Sequence, residues 1–355
     1  MSQTTSNDLP TQLPDDMLPP VQPPSARFIL QLFVYPLAIV SGIVAIGLLV
    51  NWAVRAAAGD PREYVAALKR NNGYRWQAAA NLADTLNRAD SSELPVHEEY
   101  LYDRTLAREV ALVLEDELAS GAHEEEDVTL RMYLCAALGK FKVDEPVIVL
   151  LEAATTRKSE KDLPVRKYAL MALAELAADL PPERLRDDPH AMQVLLRAAQ
   201  DSEYQIQEAA AFTLGVVGGE RAIEQLVKLL APTTHPNPRY NAATGLARQG
   251  DERAIPVLIE MMNPETVVGL EEEEKESRDI KLASIVKNGL GATRRLIEKN
   301  PRANRSQLTD AVERLKEADL DALFRKQTKY PLSSETKDVL HYEIDLTQKA
   351  LNGSS

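Results

Sequence analysis

The chain is predicted to fold as an all-α protein: an α-solenoid of stacked helix pairs, preceded by one transmembrane helix. Three observations carry that expectation. Twenty-seven consecutive residues, Phe28 to Val54, hold no charge. Beyond them, a short stretch that begins with Arg or Gln and has Leu seven residues on recurs five times. The hydrophobic content, 45%, comes from Ala and Leu, with aromatics at only 5%, as suits helices that approach closely through small side chains.

Composition also excludes several classes. With 355 residues there is ample chain to bury a core, so disorder throughout is ruled out. The 41 basic and 54 acidic side chains give a net charge of −13, which argues against a nucleic-acid binder working by bulk charge. Cys135 is the only cysteine, so neither an intrachain disulfide nor a Cys-based zinc site can form.

Residues 1–27 form a polar, acidic tail with six prolines between Pro10 and Pro24. Such a stretch cannot bury enough apolar surface to offset its ordering entropy, so it is expected to be disordered. The uncharged run over 28–54 follows. A hydrocarbon core of about 30 Å needs roughly 20 apolar residues as helix, so this run is long enough to span with tilt. Phe33 and Tyr35 near one end and Trp52 near the other suit interfacial anchors. The plain alternative is a buried core helix. A cleaved signal peptide is another, with Ala56-Ala57-Ala58 as the cleavage site, leaving a secreted or periplasmic solenoid. Against it, a signal core is roughly 7–15 residues long and follows basic residues. Only Arg27 flanks the run on its N-terminal side, against Arg55, Arg62, Lys69 and Arg70 beyond it. The positive-inside rule then places the N-terminus outside and the large domain in the cytoplasm. Small residues four apart, Ala38 with Gly42 and Ser41 with Ala45, suit helix pairing, but about half of all spanning helices offer something similar, so the pattern carries little weight.

The soluble part is read as a solenoid over 60–328. The recurring stretches start at Arg75, Arg131, Arg166, Gln207 and Arg239, and from the second onward the starts lie 35, 41 and 32 residues apart. Four residues before each start stands Asn71, Asp127, Asp162, Glu203 or His235. An acid or amide there is expected to cap the helix and reach the polar side chain one turn on. Second, amphipathic helices follow at 144–151, 220–230 and 252–259. Gly215, Gly218, Gly219 and Gly250 punctuate the turns. No single helix pair covers its own apolar face, so the pairs must stack.

The segments Gln207 to Leu230 (QEAAAFTLGVVGGERAIEQLVKLL), Arg239 to Ile259 (RYNAATGLARQGDERAIPVLI) and Val165 to Leu176 (VRKYALMALAEL) resemble HEAT repeats of the short phycobilisome-lyase type. The resemblance covers about 60–265 and is weakest at Arg75. It implies a right-handed α-solenoid of HEAT-like helix pairs, with the second helices lining the concave surface. On that reading Glu224, Lys228 and Glu260 are the candidate partner-binding residues. It implies little about function, because the repeat serves many unrelated roles.

An acidic insertion at about 91–127, with 12 acidic and 2 basic residues, interrupts the array. Leu101, Leu106, Val110, Leu114 and Leu118 predict a helix over about 97–120. It reads as a solvated face or as a dock for a basic partner. The basic stretch 281–305 holds seven Lys and Arg against Glu298 alone. It suits anionic lipid or an acidic partner, could pair with the insertion, or is an ordinary solvated face. A further amphipathic helix is expected over 306–328. The tail, 329–355, alternates in hydropathy yet also suits a docked helix.

No catalytic set stands out. His97-Glu98 and His123-Glu124 resemble in part the His-Glu pairs of the deoxyhypusine hydroxylases, HEAT-type enzymes that bind two irons through four such pairs. Only two pairs occur here, and neither precedes the Ala-rich pattern. Gly215 to Gly219 lacks the strand and the Lys-Ser/Thr of a phosphate loop. Cys135, amid Ala and Leu, reads as a core residue. The expectation is a membrane-anchored scaffold that binds a protein partner, with no cofactor, no metal, no catalysis and no nucleic acid. The alternative is a bilin-lyase-like or metal-dependent HEAT-fold enzyme, which would carry a pigment or a metal.

Overall fold

The computed structural model describes residues 27, 34–46, 59–70, 73–90, 98–271, 273–330 and 332–353. The chain divides into two compact units, Met1–Ala58 and Gly59–Ser355. Every regular element among the described residues is helical.

In the first unit, helix α1 covers 34–46, and Leu37, Ile39, Ile43 and Ile46 on it are exposed. No helix among the described residues is long and apolar enough to cross a membrane. The remainder of the uncharged 28–54 run, the Pro-rich tail and the Ala56–Ala58 site lie outside the described residues.

The second unit is a two-row array. One row holds α3 (Arg75–Asp90), α5 (Glu125–Gly139), α7 (Leu163–Asp179), α9 (Tyr204–Val217), α11 (Pro236–Arg248) and α13 (Arg278–Lys299). The other holds α2 (Pro61–Leu68), α4 (Arg104–Ser120), α6 (Val147–Thr155), α8 (Pro189–Ala198), α10 (Glu220–Leu229), α12 (Ile255–Met261) and α14 (Ser306–Glu317). The Ala-rich helices begin at or just before the recurring starts. Asp60, Asp103 and Asp188 cap α2, α4 and α8 by accepting N–H bonds from Arg62, Thr105 and Ala191. The acidic insertion is therefore part of the array. A short 3-10 turn, Glu98–Tyr102, leads through the Asp103 cap into α4, and Leu106, Val110, Leu114 and Leu118 are buried as their spacing requires. His97 falls outside the described residues.

The Ala-rich helices pack directly on one another in sequence, whereas the second-row helices barely touch their row neighbours. An array close-set on one side and spread on the other bends with the close-set row inside. The first helix of each pair thus lines the concave face, and the expectation that the second helices do so is reversed. The reason lies in side-chain size. A Cβ on Gly139 would sit 2.8 Å from the Ala172 Cα, and one on Gly215 2.6 Å from the Gly245 Cα. Only residues without larger side chains permit such approach, and they lie in the inner row.

The recurrent Arg and its upstream acid interact differently from the expectation too. Asp127 caps its own helix by accepting from the Glu124 N–H, and Arg131 donates to the Asp127 carbonyl rather than its carboxylate. The Arg131 guanidinium reaches forward to Asp162, at 3.5 Å. Asp162 in turn leaves Arg166 to pair with Asp201. Arg75 pairs with Glu117, 2.6 Å away, and Arg239 with Glu260. Arg131 and Arg166 therefore reach the segment before the next Ala-rich helix, whereas Arg239 pairs within its own α11–α12 unit.

The helix expected over 306–328 is two helices, because Asp319 caps α15 (Leu320–Thr328) by accepting from Ala322 N–H. The segment after Lys329 is a docked helix, α16 (Ser334–Leu351), packed on α13 and α14 with Leu340, Ile344 and Leu351 buried. Part of the basic stretch is neutralised there. Arg294 pairs with Glu343 at 2.5 Å, Arg305 donates to the Leu351 carbonyl, and Lys281 pairs with Glu273.

Candidate functional site

The solvent face of the inner row carries two adjoining clefts. The first is an open groove of about 480 Å³ between α5, α7 and α9, reaching α11. Tyr168 and Met171, one turn apart on α7, stand 38% and 37% exposed, and Phe212 of α9 also lines the groove. Both α7 and α9 point their Ala and Leu positions into the core, so these bulky apolar side chains occupy the one stripe that faces solvent. A Lys140–Glu175 ion pair of 3.1 Å lies on the rim, and Asn241 donates to the Glu208 carbonyl.

The second cleft, about 260 Å³, lies between α9, α11 and α13, with Glu343 of α16 on its wall; Phe212 and Asn241 line both clefts. Glu343 is its sole lining carboxylate and is bound by Arg294, which also donates to the Thr347 hydroxyl at 2.7 Å. Arg248, Lys287 and Arg295 line the same cleft. Burial lowers the affinity of the half-buried Arg248 guanidinium for its proton, and the neighbouring Arg295 charge lowers it further. The combined lining includes no histidine, cysteine or serine.

A third cleft, about 420 Å³, opens beside Arg157 and Arg166. Both of those guanidiniums pair with Asp201, so their charge is already compensated.

The residues proposed from sequence fall elsewhere. Glu224 and Lys228 are exposed on α10, in the outer row. Glu260 is half-buried and binds Arg239 and the Tyr240 hydroxyl, the latter at 2.9 Å. The groove residues escaped notice because Tyr168, Met171 and Phe212 sit inside stretches whose Ala and Leu content dominates. The usable signal was a large apolar residue at a position where the helix period points away from the core.

His123 holds its Nδ1 2.6 Å from the Gly121 carbonyl and its Nε2 3.4 Å from Asp162. Among the described residues, no group of three His, Cys, Asp or Glu is placed to hold a metal. Gly215 to Gly219 is the end of α9 and its turn into α10. Cys135 is fully buried, and burial pushes its thiol up to about 12. In the native protein Ellman's reagent is expected to leave Cys135 unmodified at neutral pH, with one thiol titrating in guanidinium. Rapid native labelling would show that α5 opens.

One stretch of the array matches a known family. The HEAT-repeat family model matches residues 192–269. The chain is 32% identical over 126 residues to the phycocyanobilin lyase subunit alpha of a Picosynechococcus species, covering 34% of this chain and 43% of that protein. It thus spans less than half of that relative's length. Among solved structures, an engineered protein aligns at 18% identity over 84% of this chain and 98% of that one, with a TM-score of 0.31. The Escherichia coli protein YibA aligns at 16% identity over 75% and 97%, with a TM-score of 0.34.

Proposed function

We propose that the chain is a membrane-held scaffold: the solenoid binds a protein partner across its inner face, and the 28–54 segment tethers it. The observation that carries the binding reading is the groove in which Tyr168, Met171 and Phe212 face solvent together. Aromatics are only 5% of this chain, and interface cores favour such residues. The matched HEAT repeats, 192–269, include the α9 and α11 walls, and such repeats commonly mediate protein interaction. The tether rests on the uncharged run and the exposed apolar side chains of α1. The excess of Arg and Lys beyond residue 54 orients it with the solenoid in the cytoplasm.

A photo-crosslinking residue placed at Met171 or at Glu224 in the full chain tests this in intact cells. Defined protein adducts are expected from position 171 and not from 224, and they are expected to weaken when the chain begins at Asp60. Adducts from 224 alone would move the site to the outer row. Phe212→Asp is expected to reduce the 171 adduct at least about tenfold, as for a central interface residue.

A second reading, a bilin-lyase-like activity, is favoured by the 32% identity to the lyase subunit. Its test is direct. Purified protein is incubated with phycocyanobilin, and pigment absorption is sought on the folded protein and again after denaturation. The scaffold reading expects neither.

A further inference from the structure

Four guanidiniums of the inner row meet an acid. Arg131 has Asp162, Arg166 has Asp201, Arg239 has Glu260, and Arg294 has Glu343. Arg248 does not. It is half-buried in the α11–α13 cleft, and among the described residues neither it nor Arg295 pairs with a carboxylate. The neighbouring Arg295 charge is unfavourable to it. An uncompensated cation in a cleft is costly unless something supplies the counter-charge.

Polar and cationic side chains surround it. On α11, Asn241, Thr244 and Arg248 lie three and four residues apart, on one face. On α13, Lys287, Gly291 and Arg295 are spaced four and four, on the face opposite. Gly291 keeps the floor open: a Cβ there would meet nothing closer than the Arg294 side chain, at 3.8 Å. Arg294 itself is immobilised by Glu343 and Thr347.

We infer that Arg248, Arg295 and Lys287 form the carboxylate-binding end of the partner groove, so that the partner segment is an acidic peptide carrying an apolar anchor. The inference rests on the scaffold reading above. Continuity argues for one ligand across both clefts, because Phe212 and Asn241 line the two together. The anchor lies against Tyr168, Met171 and Phe212, and flanking Asp or Glu side chains reach Arg248 and Arg295. Bidentate guanidinium–carboxylate pairs supply the specificity. The recognition is local, since the chain as a whole carries −13 and repels an acidic partner at long range.

The test uses the full chain in zwitterionic detergent and a fluorescein-labelled peptide, Glu-Glu-Asp-Phe-Leu-Glu-Glu, read by anisotropy. Binding is expected, and it is expected to weaken at least about tenfold in an Arg248→Gln/Arg295→Gln variant. Lys299→Gln and Arg302→Gln, cations of the same helix end and the loop after it, are expected to change it less than about twofold. The all-Gln peptide is expected not to bind. Arg248→Gln alone is expected to melt at or above the temperature of the unsubstituted chain, because it removes an uncompensated charge, so a folding defect does not mimic lost binding. Equal binding to the double variant, or equal binding of the Gln peptide, overturns the proposal. So does full competition by millimolar inorganic phosphate, which marks a small-anion site. If position 171 still crosslinks a partner equally in the double variant, the scaffold stands and the acidic-segment inference falls. If no partner crosslinks at 171 at all, the scaffold reading falls first.

Discussion

Asp201→Asn destabilises the helical unit by about 3–5 kcal/mol, the range expected when one member of a buried ion pair is removed. The Asp201 side chain is fully buried, and Arg166, the partner left behind, is 7% exposed. The Asn retains a shape but not a charge, so the Arg166 guanidinium remains in the interior without compensation. Arg157, the second cation on Asp201, is 62% exposed and contributes little by comparison. The carboxylate also accepts the Glu203 N–H, and Gln207 donates to the Asp201 carbonyl, so the loop into α9 loosens as well. Arg166→Met with Asp201→Asn is expected to recover part of the loss, because the orphaned charge is then gone, but not the loop contact. Urea unfolding followed by circular dichroism measures all three. A loss below about 1 kcal/mol for Asp201→Asn would show that water reaches Arg166.

The same pair sets a sign for pH. Burial alone raises the Asp201 pKa, but hydrogen bonds from the Glu203 N–H and from Arg166, with the Arg166 and Arg157 charges, outweigh it and hold the carboxyl below its ordinary value. A carboxylate depressed in the folded state contributes stability above its unfolded pKa of about 3.9, and that contribution is lost as pH falls through the lower folded value. The gap between the unsubstituted chain and Asp201→Asn is therefore widest at neutral pH and narrows in acid.

These pairs show what a linear reading of the repeats reaches. The Arg that opens each Ala-rich helix was legible, and so was an acid near it. Which acid each Arg meets was not, because the nearest one in sequence is engaged elsewhere: Asp127 accepts the Glu124 N–H, and Asp162 accepts the Ser159 N–H and pairs with Arg131. The carboxylate that reaches Arg166 is Asp201, from the loop before the next Ala-rich helix. Helix positions were legible for the same reason that row identity was not. Apolar periodicity reports that a helix has a buried face, and both rows have one. The inner row is set by how near two axes can come, which depends on Gly139, Ala172, Gly215 and Gly245 rather than on amphipathicity. The basic stretch 281–305 was conspicuous, yet its division could not be read. Arg294 and Arg305 are held by α16, while Arg295 and Lys287 face the cleft with Arg248 from a different helix.

Gly215→Leu is expected to cost more than about 3 kcal/mol, above the ~1–3 kcal/mol usual for an overfilled core. Helix propensity alone predicts the opposite sign, since replacing a mid-helix Gly by a better helix former gains up to about 1 kcal/mol. The decision lies with what the new side chain meets. A Cβ at 215 would stand 2.6 Å from the Gly245 Cα, and one at 245 would stand 2.8 Å from the Gly215 Cα. Both obstacles are backbone, which no rotamer change removes, so α9 and α11 must separate. Their separation uncovers Ala210, Leu214, Ala243 and Leu246, all fully buried between the rows. It also strains the Gln249 side chain's bond to the Gly215 carbonyl, 3.0 Å long. Gly291→Ala is the control. It too lies within a helix, but its Cβ enters open space, so it is expected to stabilise the chain by about 0.5–1 kcal/mol. In a stacked array each helix pair leans on its neighbours, so hydrogen exchange is expected to rise in α9, α10 and α11 of the Gly215→Leu chain before it rises in α3 or α5. Uniform exchange across the unit would instead mean that the array unfolds as one cooperative body, and that the α9–α11 seam is no weaker than the rest.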